Sequence, residues 1–172
     1  MGKKYISEII SEEYKEWKQG DIILIKSPTG SGKSEFIKNQ LLKWCELQQK
    51  SILLLSNRTL LYQQQINDIR LNNGCLSDEL TLDLYQTFPG NIEDYDYVVC
   101  DECHYFYEDS GFNRETDFIY KQIIQGHSEG IIILLSATPE LIEDYLEDKI
   151  SKTYTIPLDL TNYNLFRATP QN

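Results

Sequence analysis

The sequence predicts an α/β protein, with a mostly parallel sheet that carries helices on both faces. Short apolar runs alternate along the chain with longer amphipathic stretches. Strands that are apolar on both faces are typical of parallel sheets buried between helices. A turn rich in glycine and serine follows the first apolar run at residues 27–34, and an acidic sequence follows a later run at residues 101–104. Such turns lie where open parallel sheets bind ligands.

The apolar periodicity predicts the order of the elements. Strands are expected at residues 21–26, 51–56, 81–85, 97–101, 130–136 and 152–156. Helices are expected at residues 6–17, from the glycine turn to about residue 49, at 58–71, at 115–125 and after residue 138. In this last helix, which Thr138 and Pro139 should open, the residues expected to face inward are Leu141, Ile142, Tyr145 and Leu146.

Length and charge restrict the class of protein. The chain has 172 residues, which favours one domain, and a formal net charge of −11. An acidic surface repels nucleic acid, so binding to DNA or RNA would need a local basic face or a partner. The longest apolar run, residues 131–135, is far shorter than the roughly 20 residues that span a bilayer. With no secretory apolar region at the start, we expect a cytoplasmic protein without a membrane segment.

The cysteines raise the question of a zinc site. Cys100 and Cys103 form a CxxC sequence followed by His104. A structural zinc site usually has two close pairs of ligands, whereas Cys45 and Cys75 stand alone. We therefore expect buried thiols and no structural zinc.

The turn at residues 27–34 (SPTGSGKS) has the sequence context of a phosphate-binding loop, between a strand and a helix. Its glycines let backbone N–H groups turn toward phosphate oxygens, and the helix start adds its positive end. Lys33 would reach the β- and γ-phosphates, and Ser34 would hold Mg²⁺. Ser27 stands where the full phosphate-loop pattern has its first glycine. The alternative to phosphate binding is a flexible glycine turn in which Lys33 is merely solvated. The predicted phosphate-binding residues are Thr29, Gly30, Ser31, Gly32, Lys33 and Ser34.

Polar side chains follow two other strands. Asp101 is placed to coordinate the Mg²⁺ of a nucleotide, and Glu102 to orient or deprotonate an attacking water. A solvated loop start is the alternative for both residues. Ser136 and Thr138 would hydrogen-bond the loop of Asp101 and His104 and report the nucleotide state to it, although Thr138 would also serve as a plain helix cap.

Four segments together resemble the first RecA-like domain of a superfamily-two helicase of the DExH (DEAD/DEAH-like) type. They are SPTGSGKS at 27–34, SNRTLLYQQ at 56–64, DECH at 101–104 and SAT at 136–138. The resemblance covers about residues 20–156 and implies ATP and Mg²⁺ as cofactors. It implies that Lys33, Asp101 and Glu102 are catalytic, with Glu102 as the base. It further implies that His104, Ser136 and Thr138 couple the site to DNA or RNA.

The resemblance also implies nucleic-acid contacts. Asn57, Arg58 and Thr59 match the family's second motif and would touch the phosphate backbone. Arg58 is the best candidate by chemistry, because its planar fork suits phosphate, although an ordinary arginine at a helix start is the alternative. Tyr85 and Gln86 fall near another nucleic-acid-contacting segment.

Two parts of the family pattern are absent from the sequence. We find no glutamine motif that would read adenine, and no second RecA-like domain, which would supply arginine fingers worth about 10³–10⁵ in rate. The isolated domain is therefore expected to be weak or inactive. The predicted organisation is an N-terminal helix at 1–19, the RecA-like ATP-binding domain at 20–156, and a tail at 157–172 that begins an interdomain linker.

The sequence leaves three other functions as alternatives. A small P-loop kinase would need a lid rich in arginine, and the four arginines are scattered. A nucleotide-dependent translocase or restriction-type subunit would move on duplex without separating its strands. A non-hydrolysing nucleotide-sensing module would only bind. The negative charge is compatible with both of the latter.

Overall fold

The fold is a single parallel sheet with helices on both faces, which confirms the predicted class. The computed structural model describes residues 4–57, 64, 67–68, 78–105, 121–122 and 129–157. The strands are β1 (Ile22–Lys26), β2 (Ile52–Ser56), β3 (Leu80–Leu84), β4 (Tyr97–Asp101), β5 (Ile131–Ser136) and β6 (Lys152–Thr155). They lie in the order β3-β2-β4-β5-β1-β6, and all neighbouring pairs are parallel. The predicted strand ends agree with these bounds to within one residue.

The helices of the described residues are short. They are α1 (Ile6–Ile10), α2 (Lys33–Phe36), α3 (Lys43–Gln48) and α4 (Glu140–Leu146). A π-helical segment, Ile37–Leu42, joins α2 to α3 without a break, so the predicted helix to about residue 49 is confirmed. Two 3₁₀ turns occur at Glu13–Glu16 and Ile92–Asp94. The predicted helices at 58–71 and 115–125 lie largely outside the described residues.

The predicted single helix at 6–17 is wrong. Ser11 has a φ of 50°, and its N–H donates to the carbonyl of Ser7, which ends α1. The chain resumes as the 3₁₀ turn that carries Tyr14. Ile6, Ile10 and Tyr14 are all buried in the same core. Their four-residue spacing is typical of one helix, but two short helical pieces satisfy it equally well.

Two apolar layers cover the sheet. Alternate residues of each central strand enter opposite layers, as shown by Ile23 and Ile25 against Ile22 and Leu24 in β1. The first layer packs under α1, α2 and α3, and the second packs under α4 and the 3₁₀ turn at Ile92–Asp94. In the described ranges, no helix is both long enough and apolar enough to cross a bilayer.

Helix α4 buries fewer residues than the sequence predicts. Ile142 and Leu146 are each 1% exposed, whereas Leu141 and Tyr145 are 57% and 68% exposed. A helix turns about 100° per residue, so adjacent positions in a short helix do not share one narrow contact with the sheet. The inward orientation predicted for Leu141 and Tyr145 is therefore wrong.

Truncation of neighbouring α4 residues should separate these two environments. Ile142→Ala is expected to lower the free energy of unfolding by about 2–5 kcal/mol, because it leaves a cavity against the sheet. The matched change Leu141→Ala is expected to cost less than about 1 kcal/mol. Urea unfolding of both variants measures the difference, and a larger loss for Leu141→Ala would contradict the orientation of α4.

Candidate functional site

The candidate site lies at the carboxyl end of the sheet, where β4, β5 and β1 are neighbours. The phosphate loop follows β1, the acidic turn follows β4, and the turn at Ser136 follows β5. Because neighbouring parallel strands end at one edge, the three turns meet there. The loop begins in direct contact with the last of them, since the N–H of Ser27 donates to the carbonyl of Ser136 at 2.9 Å.

Glycine determines the shape of the loop. Gly30 has a φ of 74° and Gly32 a φ of 86°, a region that residues with a side chain rarely adopt. Helix α2 begins directly after Gly32, which directs its first backbone N–H groups toward the loop. The loop therefore has the backbone geometry that phosphate binding needs.

The N-terminal segment supports the loop from one side. The N–H of Ile6 donates to the carbonyl of Ser31 at 3.0 Å. The ring of Tyr5 lies so close to Gly32 that a Cβ placed there would be 3.2 Å from the Tyr5 Cδ1. The φ angle of Gly32 thus favours glycine, and a side chain there would also have to displace the Tyr5 ring slightly.

Two hydroxyls in the loop have no hydrogen-bond partner within the part of the chain that the structure describes. Ser27 is 1% exposed and Ser31 is 2% exposed. The Oγ atoms of both are buried without a partner. A buried polar group that lacks a partner is costly, so these hydroxyls fit a loop that folds around a polar ligand.

Lys33 joins the loop to the acidic turn. Its Nζ lies 2.6 Å from Oε1 of Glu102 and 3.9 Å from Oδ1 of Asp101. The side chains of Lys33 and Asp101 are only 15% and 6% exposed. Glu102 has a φ of 51°, so the backbone turns sharply just after β4. The structure therefore brings the phosphate loop and both predicted carboxylates together.

Asp101 is the buried acid of the site. Burial raises the pKa of its carboxyl group, an effect that the nearby Lys33 ammonium opposes and the Glu102 carboxylate reinforces. The N–H of Glu102 donates to Oδ1 of Asp101 at 3.1 Å. No three metal-ligating side chains cluster among the residues that the structure describes. A magnesium ion here would thus rely on Asp101, Ser34, water and nucleotide phosphates, which matches its preference for oxygen ligands and retained water.

His104 and the end of β5 form a hydrogen-bonded group beside this pair. Nδ1 of His104 lies 3.0 Å from Oγ of Ser136 and 3.4 Å from Oε2 of Glu102. The backbone N–H of Thr138 donates to the same Ser136 hydroxyl at 3.0 Å. Thr138 thus joins the group through its main chain. Its predicted capping of α4 is wrong, because Pro139 is the N-cap residue and no side chain caps the helix.

Tyr85 is not placed as a surface contact. Its side chain is fully buried, and its hydroxyl donates to the backbone carbonyl of Asp101 at 2.7 Å. A nucleic-acid contact of this side chain does not fit the structure. This hydrogen bond to Asp101 could not be predicted, because the sequence does not show which way a tyrosine at the end of an apolar strand turns.

The other predicted nucleic-acid residues have different surroundings. Gln86 is half-buried, and its Nε2 donates to the hydroxyl of Tyr105 at 2.5 Å. Asn57 follows β2, and its Oδ1 is buried with no hydrogen-bond partner among the described residues. Arg58 and Thr59 lie outside the described residues.

The cysteines behave as core residues. Cys45, Cys100 and Cys103 are fully buried, which confirms the predicted buried thiols, and Cys75 lies outside the described residues. Burial raises the pKa of the Cys45 and Cys100 thiols to about 12. Metals bind the thiolate form, which these surroundings disfavour.

Comparisons with known proteins agree with the fold. The profile of the family described as "Type III restriction enzyme, res subunit" (ResIII) matches residues 2–141. One similar solved structure is described as a hypothetical ATP-dependent RNA helicase from Sulfolobus tokodaii, with a TM-score of 0.62 and 19% sequence identity. That alignment covers 87% of this chain, which spans about half (50%) of the helicase chain. No match was found among curated proteins. Since the family profile spans most of the sequence, the chain belongs to the ResIII family and is a first RecA-like domain of the superfamily-two helicase type.

Proposed function

We propose that this domain binds ATP with Mg²⁺ and is the ATP-hydrolysing half of a nucleic-acid helicase of the DExH type. The observation that carries the proposal is the position of the Lys33 ammonium, 2.6 Å from Glu102 and 3.9 Å from Asp101. A phosphate-binding lysine close to a carboxylate that can hold Mg²⁺ recurs in P-loop enzymes that hydrolyse nucleoside triphosphates.

Each residue would have a separate task. The backbone N–H groups around Gly30 and Gly32 would hold the phosphates, and Lys33 would neutralise their outer oxygens. Ser34 and Asp101 would hold the magnesium ion, which would offset the negative charge of the phosphates. Glu102 would accept a proton from the attacking water or orient it.

Nucleotide binding would also break the ion pair between Lys33 and Glu102. A bound triphosphate competes with Glu102 for the Lys33 ammonium, because both offer anionic oxygens. When Lys33 moves to the phosphates, the Glu102 carboxylate becomes available to water. Binding of the substrate would thus release the base that acts on it.

Hydrolysis would depend on a second RecA-like domain and on nucleic acid. The second domain would bring the arginine fingers, and DNA or RNA would contact Asn57, Arg58, Thr59 and Gln86. The group of His104, Ser136 and Thr138 would connect those contacts to the nucleotide, because it touches Glu102. We also place the protein in the cytoplasm.

A calorimetric titration of the 172-residue chain tests nucleotide binding. MgATP and MgADP are expected to give saturable heats, and AMP is expected to bind at least about ten-fold more weakly, because it lacks the phosphates that the loop would hold. Equal affinity for ATP and AMP would contradict the phosphate loop.

A longer gene product, in which this chain is followed by a second RecA-like domain, would test the motor assignment. We expect ATP hydrolysis that rises with added nucleic acid, together with strand separation. Hydrolysis stimulated by duplex without strand separation would instead identify a translocase, the activity suggested by the restriction-enzyme name of the family.

A further inference from the structure

Tyr85 connects three strand ends. Its backbone N–H donates to the carbonyl of Ser56 at the end of β2. Its hydroxyl donates to the backbone carbonyl of Asp101, at the end of β4, at 2.7 Å. Because β2 lies between β3 and β4, the side chain has to reach past the end of β2 to make this bond. One residue therefore links the turn after β3 to the turn that carries the carboxylates.

The hydrogen bond from Tyr85 to Asp101 is supported by contacts of the neighbouring residues Gln86 and Tyr105. Burial raises the pKa of the Tyr85 hydroxyl, so this group remains a hydrogen-bond donor at ordinary pH. The Tyr85 ring stacks on Tyr105, with centroids 5.9 Å apart and an interplanar angle of 26°. Gln86 then donates to the Tyr105 hydroxyl. Tyr105 comes three residues after Glu102, so the acidic turn is held at its start and just after its end.

The held backbone is the one that places Glu102. The Tyr85 hydroxyl binds the carbonyl of the peptide bond whose N–H belongs to Glu102. That residue has a φ of 51°, an uncommon value for a residue with a side chain. A conformation of this kind persists only where its surroundings enforce it. The Tyr85 hydrogen bond is such a restraint.

We propose that Tyr85 is a positioning residue for the carboxylate turn, and that with Gln86 and Tyr105 it transmits displacements of the turn after β3 to Glu102. The inference rests on the proposed function for its catalytic consequence only. The restraint on the turn is a property of the chain without nucleotide. A ligand that moves the turn after β3 would, by this route, change the position of the catalytic carboxylate.

Hydrogen exchange measured by mass spectrometry tests the restraint without any nucleotide. In the 172-residue chain, Tyr85→Phe is expected to accelerate exchange of the amides at 102–105 by about three- to ten-fold, which corresponds to one lost neutral hydrogen bond. Peptides from β1 and β5 should exchange as in the unchanged chain.

Tyr154→Phe is the matched control. Tyr154 is also a buried residue, and its hydroxyl donates to Glu13 at 2.7 Å and accepts from Trp17 at 3.2 Å, away from the site. This variant should leave exchange at 102–105 unchanged. An equal acceleration in both variants, or none in Tyr85→Phe, would overturn the proposal. Should Tyr85→Phe fail to fold, Gln86→Met removes only the Tyr105 bond and should accelerate the same amides by about two-fold, and no change there would overturn it.

A kinetic measurement then separates positioning from general stability. In the longer gene product, Tyr85→Phe is expected to lower kcat by about three- to ten-fold with an unchanged KM for ATP, because the base is displaced but the loop is intact. An unchanged kcat would overturn the catalytic part. If the unchanged protein does not hydrolyse ATP, the proposed function fails, whereas the exchange result still decides whether Tyr85 holds the turn.

Discussion

Lys33→Ala is expected to weaken MgATP binding by about 10- to 150-fold, the range for loss of a hydrogen bond to a charged group. The Lys33 side chain is 15% exposed, and its ammonium group lies within 4.0 Å of the Asp101 and Glu102 carboxylates. Among the described residues, no other ammonium group lies within 4.0 Å of either carboxylate. Calorimetric titration of the variant with MgATP measures the loss.

The same change should destabilise the chain without nucleotide. Without the ammonium, Asp101 and Glu102 repel each other in a partly dry site, and removing one partner of a buried pair costs about 3–5 kcal/mol. The pKa of Asp101 is already raised by burial, and loss of Lys33 removes the charge that opposes this rise. A raised pKa means that the folded state binds a proton more tightly than the unfolded state. The free energy of unfolding therefore recovers as the pH falls from the pKa of Asp101 in the folded state toward its pKa in the unfolded state. The deficit of the variant should therefore shrink on acidification.

Lys43→Ala is the matched control for Lys33→Ala. Lys43 is exposed and begins α3, on the same continuous helix. Its truncation should change neither the affinity for MgATP nor the dependence of stability on pH. If Lys33→Ala bound MgATP as tightly as Lys43→Ala, the assignment of the loop would have to be abandoned.

Glu102→Gln is expected to reduce ATP turnover by about 10²–10⁴-fold, the contribution typical of a general base. The affinity for MgATP should stay the same or increase, because the neutral amide no longer holds the Lys33 ammonium at 2.6 Å. Single-turnover hydrolysis by the longer gene product, read beside a binding titration, separates the two effects.

Glu143→Gln controls for loss of a lysine–glutamate pair as such. Glu143 contacts Lys26 at the same distance, 2.6 Å, but at a half-exposed position on α4. Turnover and affinity should both be unchanged in that variant. Turnover by Glu102→Gln equal to that of the unchanged protein would exclude Glu102 as the base.

The sequence was sufficient for the parts of the molecule that local pattern determines. Strand positions follow from apolar runs, and the meeting of Lys33 with Asp101 and Glu102 follows from their places after neighbouring parallel strands. Pattern did not reveal the break at Ser11, because the buried spacing of Ile6, Ile10 and Tyr14 suits either one helix or two pieces.

Long-range geometry accounts for the remaining differences. The orientation of Leu141 depends on how α4 rests on the sheet, which periodicity in a short helix leaves open. Tyr85 bonds a carbonyl 16 residues away, and a main-chain acceptor has no signature in the sequence. The resemblance implied a nucleic-acid contact for this residue, which the burial of its side chain does not fit.

The grip of Tyr5 and Ile6 on Ser31 and Gly32 has a practical consequence. A bulky fusion partner attached just ahead of residue 5 would crowd the Tyr5 ring and the Ile6 N–H, which contact Gly32 and Ser31. Nucleotide affinities measured on such material would include the effect of this crowding on the loop, so labels are better attached at the opposite terminus.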